Sequence, residues 1–157
     1  MLPIGAAVPN FRLPCSDGTT VTAKGLRGQR YVLFLYPKDS TPTCTVEACA
    51  FRDEQPAFAA LGVPVYGVSA DSLRAHAKFV EKYGLNFPLL ADEDRSQLIE
   101  PLGAWVEKQL YGRTYMGILR CTVVVDAKGK IVAAWDKVKS ATHAAEVRDW
   151  LKAKPSR

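Results

Sequence analysis

The residue types able to do chemistry concentrate between Pro37 and Cys49, where the chain reads Pro-Lys-Asp-Ser-Thr-Pro-Thr-Cys-Thr-Val-Glu-Ala-Cys. Thr41 is placed to cap the start of a helix, and Pro42 suits the first helical position because its missing N–H would find no partner there anyway. Cys44 then falls in the first turn, where backbone N–H groups and the positive end of the helix face its sulfur. Both favour the thiolate over the thiol, so Cys44 is expected to be a nucleophile at neutral pH. Cys49 follows on the same helix. Positions five apart lie roughly 140° around the axis and about 7.5 Å along it, which sets their Cα atoms roughly 8.7 Å apart. A disulfide spans only about 4.4 to 6.8 Å between Cα atoms. The two sulfurs can join only if the first turns of the helix unwind.

A buried strand must deliver that helix. Tyr31 to Tyr36 is an uninterrupted apolar and aromatic run, the pattern of a strand covered on both faces. After the helix, Val63 to Ser69 reads as a second strand, parallel to the first by the right-handed crossover rule. Residues 72 to 83 read as a helix ending at Gly84, 94 to 102 as a short helix, and the last helix starts near Ala141. Cys121 to Asp126 and Lys130 to Asp136 form a hairpin around Ala127-Lys128-Gly129. Near the N-terminus, Phe11 to Leu13 and Thr19 to Thr22 flank a Ser16-Asp17-Gly18 turn, and this pair caps the sheet. Alternating strands and helices with no repeat, low-complexity tract or linker imply an α/β layer structure around a central sheet. The chain, 157 residues with 48% hydrophobic content, suffices for one well-buried core, so a single domain over 1–157 is expected.

The formal charge of +5 could suggest an acidic partner, but the basic residues are scattered and no Lys/Arg run interleaves with aromatics, so nucleic-acid binding is not expected. No window approaches the ~18 apolar residues of a membrane span, and no early stretch pairs a basic start with a long apolar run. A cytoplasmic protein without membrane association is expected. Four cysteines are too few for a disulfide scaffold and lack zinc-site spacing. His76 and His143 have no second ligand at a useful spacing and are read as packing or hydrogen-bonding residues, so neither metal nor cofactor is assigned. Asp71 is read as a cap of the helix it precedes, Cys121 as a packed strand residue, and Cys15 as a turn residue open to exposure. The three tryptophans are read as packing residues.

Pro37, Thr41 and Cys44 match the Pro-x-x-x-Thr/Ser-x-x-Cys signature, and the chain resembles the peroxiredoxins. It is most similar to the bacterioferritin comigratory protein, or peroxiredoxin Q, subfamily, in which a second cysteine follows five positions after the first, where Cys49 stands. Tyr36-Pro37-Lys38, Phe51-Arg52-Asp53, Ser69-Ala70-Asp71-Ser72 with His76 and Phe79, Phe87 to Asp92, and Tyr115 to Arg120 extend the resemblance over nearly the whole chain. The resemblance implies a thioredoxin-like fold, a central mixed sheet flanked by helices with an N-terminal β extension. It implies a thiol peroxidase in which Cys44 attacks a hydroperoxide and becomes a sulfenic acid, Cys49 resolves it, and thioredoxin or a similar dithiol reduces the disulfide. Thr41 and Arg120 would stabilise the moving charge, and Pro37 would wall the pocket from water. Glu47, on the same helical face as Cys44, is a candidate to hold Arg120 by a bidentate ion pair, against the alternative of an ordinary surface charge. A monomer is expected. Two rivals remain: a thiol–disulfide oxidoreductase or redox sensor using the same cysteines, although Cys-x-x-Cys is missing, and a binding or chaperone role switched by them.

Overall fold

The computed structural model describes residues 1–154, so the last three residues of the expected 1–157 domain lie outside it. The central sheet is built on β3 (Tyr31–Leu35), which pairs in parallel with β4 (Val65–Ser69) and antiparallel with β8 (Cys121–Val125). Its edges are β5 (Leu89–Ala91), parallel to β4, and β9 (Ile131–Trp135), antiparallel to β8, giving the order β5-β4-β3-β8-β9. α1 (Pro42–Ala60) joins β3 to β4, and α2 (Leu73–Tyr83) joins β4 to β5. Both crossovers step the same way across the sheet, so right-handed connections place both helices on one face. α3 (His143–Ala153) follows β9.

Period-2 alternation divides the core. Val32, Phe34 and Tyr36 point into one cluster with Phe51 and Phe58 of α1, Phe79 of α2, and Val147 and Leu151 of α3. Tyr31, Leu33 and Leu35 point into another, filled by Phe11 and Leu13 of the N-terminal hairpin and by Leu98, Ile99 and Leu102. That hairpin, β1 (Arg12–Pro14) with β2 (Thr20–Thr22), forms where expected and is bridged to the sheet edge through Cys15 and Leu90.

The expected helix over 94–102 is instead a run of turns. The buried Asp92 carboxylate accepts from the backbone N–H groups of Gln97, Leu98 and Ile99, and Arg95 takes a left-handed φ of 64°, so helical propagation is broken at its start. The last helix, expected to start near Ala141, begins at His143. A separate hairpin, β6 (Trp105–Leu110) with β7 (Arg113–Ile118), was not foreseen. Its two turn residues, Tyr111 and Gly112, both have positive φ (51° and 75°), the backbone that a two-residue hairpin needs.

α1 also carries Pro56 in its interior. Proline cannot donate to the carbonyl of Arg52 one turn earlier, and the Asn86 side-chain amide donates to that carbonyl instead at 3.1 Å. Arg52 Nη1 in turn donates to the Tyr83 carbonyl at 2.6 Å, so the helix carrying both cysteines is tied to the end of α2.

Candidate active site

Cys44 lies in the first turn of α1, 2% exposed, with Pro42 at the helix start as the sequence predicts. Thr41 occupies the cap position with extended backbone, but its hydroxyl does not cap. It donates to the Lys38 carbonyl at 2.9 Å, while the Thr41 carbonyl accepts from the Thr45 N–H and hydroxyl. The hydroxyl therefore closes the preceding loop, and its oxygen keeps lone pairs for another donor.

Arg120, just before β8, reaches Cys44 across the sheet end: Nη2 donates to Sγ at 3.1 Å and Nη1 to Glu47 Oε1 at 2.7 Å. The expected bidentate Glu47 pair is thus replaced by a fork shared between an acid and a thiol, because Glu47 and Cys44 sit side by side on α1. Glu47 is no surface charge. It is fully buried, and its Oε2 has no hydrogen-bond partner. Burial pushes its carboxyl up to about 7, against the pull of the Arg120 charge. Burial alone would lower Arg120, but the hydrogen bond to Cys44 and the charges of Glu47 and Cys44 hold it above its ordinary range.

The loop that delivers Cys44 is held by a buried polar network. Tyr36 Oη donates to Asp39 Oδ1 at 2.5 Å, His76 Nδ1 meets Asp39 Oδ2 at 2.6 Å, and the Asp39 N–H donates to Asp71 Oδ2 at 2.8 Å. His76 Nε2 lies 2.9 Å from the Leu90 carbonyl, which only accepts, so Nε2 carries a proton. Asp71 does not cap α2: Ser72 accepts from the Ala75 N–H, and the Asp71 carboxylate takes the Ser69 hydroxyl and the Asp39 amide. Burial first, then the Asp39 charge, raises the Tyr36 phenol well above its ordinary range. The ligand-type atoms of Asp39, Asp71 and His76 lie within 4.8 Å of one another and hydrogen-bond within this network. His76 is read from the sequence only as a packing or hydrogen-bonding residue, because its partner Asp39 stands 37 residues away and no local pattern links them.

Cys49 is half-buried on α1, and all four cysteines are free thiols. Cys15, expected in an open turn, is buried against the sheet edge, and burial raises its thiol. Cys121 packs in the cluster across the sheet from Cys44, where burial pushes its thiol up to about 12. Pro37 lines a cleft beside the site with Trp105 and Ile118.

A thiol at a helix start, supplied by a parallel βαβ unit and touched by an arginine just ahead of the neighbouring antiparallel strand, defines a cysteine-dependent oxidoreductase of thioredoxin-like fold. Residues 4–134 match the AhpC/TSA family. "Peroxiredoxin Bcp" of Bacillus subtilis is 44% identical over 149 residues, 95% of this chain and 94% of that protein. Peroxiredoxin Q of Xanthomonas campestris superposes with a TM-score of 0.90 at 39% identity, covering 99% of this chain and 98% of that one. The bacterioferritin comigratory protein of the same organism, whose structures address alkyl peroxide reduction, gives a TM-score of 0.89 at 38% identity over 99% of both chains. The chain belongs to the AhpC/TSA family and, within it, to the Bcp or peroxiredoxin Q group of peroxiredoxins. It is a thiol peroxidase that reduces hydroperoxides at the expense of a thiol reductant.

Proposed function

We propose that Cys44 is the peroxidatic residue and Cys49 the resolving one, in a cycle that ends with thioredoxin or a similar dithiol. The carrying observation is the Arg120 fork, which holds the helix-start sulfur at 3.1 Å from a guanidinium. The thiolate attacks the terminal peroxide oxygen, the O–O bond breaks, and sulfur keeps that oxygen as a sulfenic acid. The departing oxygen leaves as hydroxide or alkoxide and takes a proton to become water or alcohol. Arg120 and the backbone N–H groups of the first turn stabilise the charge as it moves from sulfur to the leaving oxygen. The Thr41 oxygen accepts a hydrogen bond from the peroxide O–H, its own hydrogen being donated to the Lys38 carbonyl. Pro37 shields the site from water. Glu47 acts one step removed, positioning Arg120.

The Cys49 thiol then attacks the sulfenic sulfur, water leaves, and a disulfide forms. That step requires α1 to unwind, and the unwound segment presents the disulfide to the external dithiol, whose own oxidation restores both thiols. We assign the chain as one domain acting as a monomer in the cytoplasm. Among the described residues no helix is long and apolar enough to cross a membrane. The rival sensor reading requires reaction without turnover, and peroxide consumption driven by an added dithiol reductant separates the two. Intact mass and free-thiol count are measured after one equivalent of hydrogen peroxide on wild type, Cys44→Ser and Cys49→Ser. Wild type should lose two thiols, Cys49→Ser should stop at a sulfenic acid, and Cys44→Ser should not react. Undiminished peroxide consumption by Cys44→Ser would overturn the assignment.

A further inference from the structure

The loop that leads from β3 into α1 carries a strained residue. Ser40, one position before Thr41, has a φ of 62°, a left-handed backbone that a residue with a side chain keeps only under constraint. The constraint lies at Asp39. Tyr36, just after β3, donates to Oδ1 at 2.5 Å, His76 of α2 meets Oδ2 at 2.6 Å, and Asp71, just after β4, accepts the backbone N–H at 2.8 Å. The Leu90 carbonyl of β5 holds the far nitrogen of His76 at 2.9 Å, and the Ser69 hydroxyl donates to Asp71 at 2.6 Å. Asp39, His76 and Tyr36 are buried, and the peroxide chemistry has no step that uses them.

The Asp39 N–H and the Lys38 carbonyl belong to one planar peptide unit. Asp71 fixes that plane from the N–H side, and on the carbonyl side Lys38 receives the Thr41 hydroxyl at 2.9 Å. The Thr41 hydrogen is thus held by a peptide that Asp39 anchors, which sets where the remaining lone pairs of its oxygen point. The anchor itself depends on a proton. The Leu90 carbonyl only accepts, so His76 Nε2 carries a hydrogen. His76 Nδ1 and Asp39 Oδ2 then stand 2.6 Å apart, below the roughly 2.7 to 3.2 Å of ordinary N–H···O bonds, and without a hydrogen between them two lone pairs would face each other. Tyr36 keeps its own hydrogen, since burial first, then the Asp39 charge, holds its phenol well above its ordinary range. One further proton is therefore shared between Asp39 and His76 inside the molecule.

We propose that Asp39, Asp71 and His76 are positioning residues for the peroxide reaction: with the proton that Asp39 and His76 share, they fix the Lys38–Asp39 peptide and so aim the Thr41 oxygen at the peroxide beside Cys44. They touch neither sulfur nor substrate. The inference rests on Cys44 being the peroxidatic thiol and on Thr41 receiving the peroxide O–H. Asparagine at position 39 needs no shared proton, because its oxygen accepts from Tyr36 while its amide donates to a neutral His76 Nδ1, and Nε2 still donates to Leu90. Alanine there leaves Tyr36 and His76 without their partner and Ser40 without its restraint.

The test measures kcat/KM for hydrogen peroxide, with one dithiol reductant, on wild type, Asp39→Ala, Asp39→Asn, Thr41→Val and the double variant of Asp39→Ala with Thr41→Val, each first shown by urea titration to be folded. Asp39→Ala should lose roughly 10- to 100-fold, as small misplacements of a reacting geometry do. Asp39→Asn should recover most of that loss. Because Asp39 acts through Thr41, the double variant should be little slower than Thr41→Val alone, whereas independent effects would multiply. Multiplied losses would overturn the proposal, as would an undiminished rate in Asp39→Ala or an Asp39→Asn as slow as Asp39→Ala. Should Asp39→Ala not fold, proton NMR decides: wild type should show a far-downfield, exchange-protected signal that Asp39→Asn lacks, and its absence from wild type would remove the shared proton. Failure of the underlying reading has a different appearance, because hydrogen peroxide turnover would then persist in Cys44→Ser.

Discussion

Arg120 holds Cys44 with one nitrogen and Glu47 with the other, so its removal acts on chemistry and on stability at once. Arg120→Met should lower kcat/KM for hydrogen peroxide by roughly 10² to 10³, the usual loss when a donor to developing charge is removed. Stopped-flow peroxide consumption reads this directly, and a loss below about fivefold would show that Arg120 only shapes the pocket. Glu47 makes a separate prediction through pH. Its carboxyl is raised in the folded state from 4.5 to about 7, so the stability linked to its protonated form is complete below 4.5 and lost as pH rises toward 7. At roughly 1.4 kcal/mol per pH unit the change is up to about 3 kcal/mol. Urea midpoints measured across this window should fall with rising pH in wild type more steeply than in Glu47→Gln, and parallel curves would refute the shift.

At the scale of elements, α1 must be both firm and able to open. Its lower half is tied down by Phe51 and Phe58 in the core, by Arg52 to Tyr83, and by Asn86 filling the carbonyl that Pro56 leaves unpaired. Its first turns have no side-chain cap: the Thr41 hydroxyl points back to Lys38, and no acidic residue stands in the first turn. The start of the helix, where the two cysteines need it to unwind, is therefore held by the Arg120 fork and not by a cap. The loop ahead of it is held by Asp39 and His76, so opening should be confined to the segment from Thr41 to Cys49. Oxidation of wild type with one equivalent of peroxide should remove roughly seven residues of helix. Far-ultraviolet circular dichroism and amide exchange read that loss, which Cys49→Ser should not show. Retained helix in a disulfide-bonded wild type would exclude local unwinding.

For the whole molecule, the sheet transmits its alternation into two separately filled cores, and Gly67 marks how closely they fit. A Cβ there would approach Leu89 Cδ2 to 2.6 Å and Phe34 Cζ to 2.9 Å, under the cluster that supports α1. Gly67→Ala should cost roughly 1 to 3 kcal/mol through overpacking, seen as a lower urea midpoint with an unchanged slope. A neutral result would mean that Phe34 and Leu89 have room to move.

What the sequence determines by itself is whatever neighbours within a few residues encode. The apolar run of β3, the proline and cysteine at the start of α1, the Gly84 stop of α2 and the β8–β9 hairpin are legible because periodicity and capping chemistry are local. Arg120 enters that reading only through a family resemblance, since 76 residues separate it from the sulfur it touches. Tertiary structure alone decides the shared fork in place of a bidentate pair, the burial of Glu47 and Cys15, and the Asp39–His76 contact. It also decides the turns over 94–102, where the Asp92 carboxylate wins three backbone amides from a would-be helix. Each of these depends on the path of the chain between distant segments, and a side chain's partners, unlike its periodicity, are set only when that path closes.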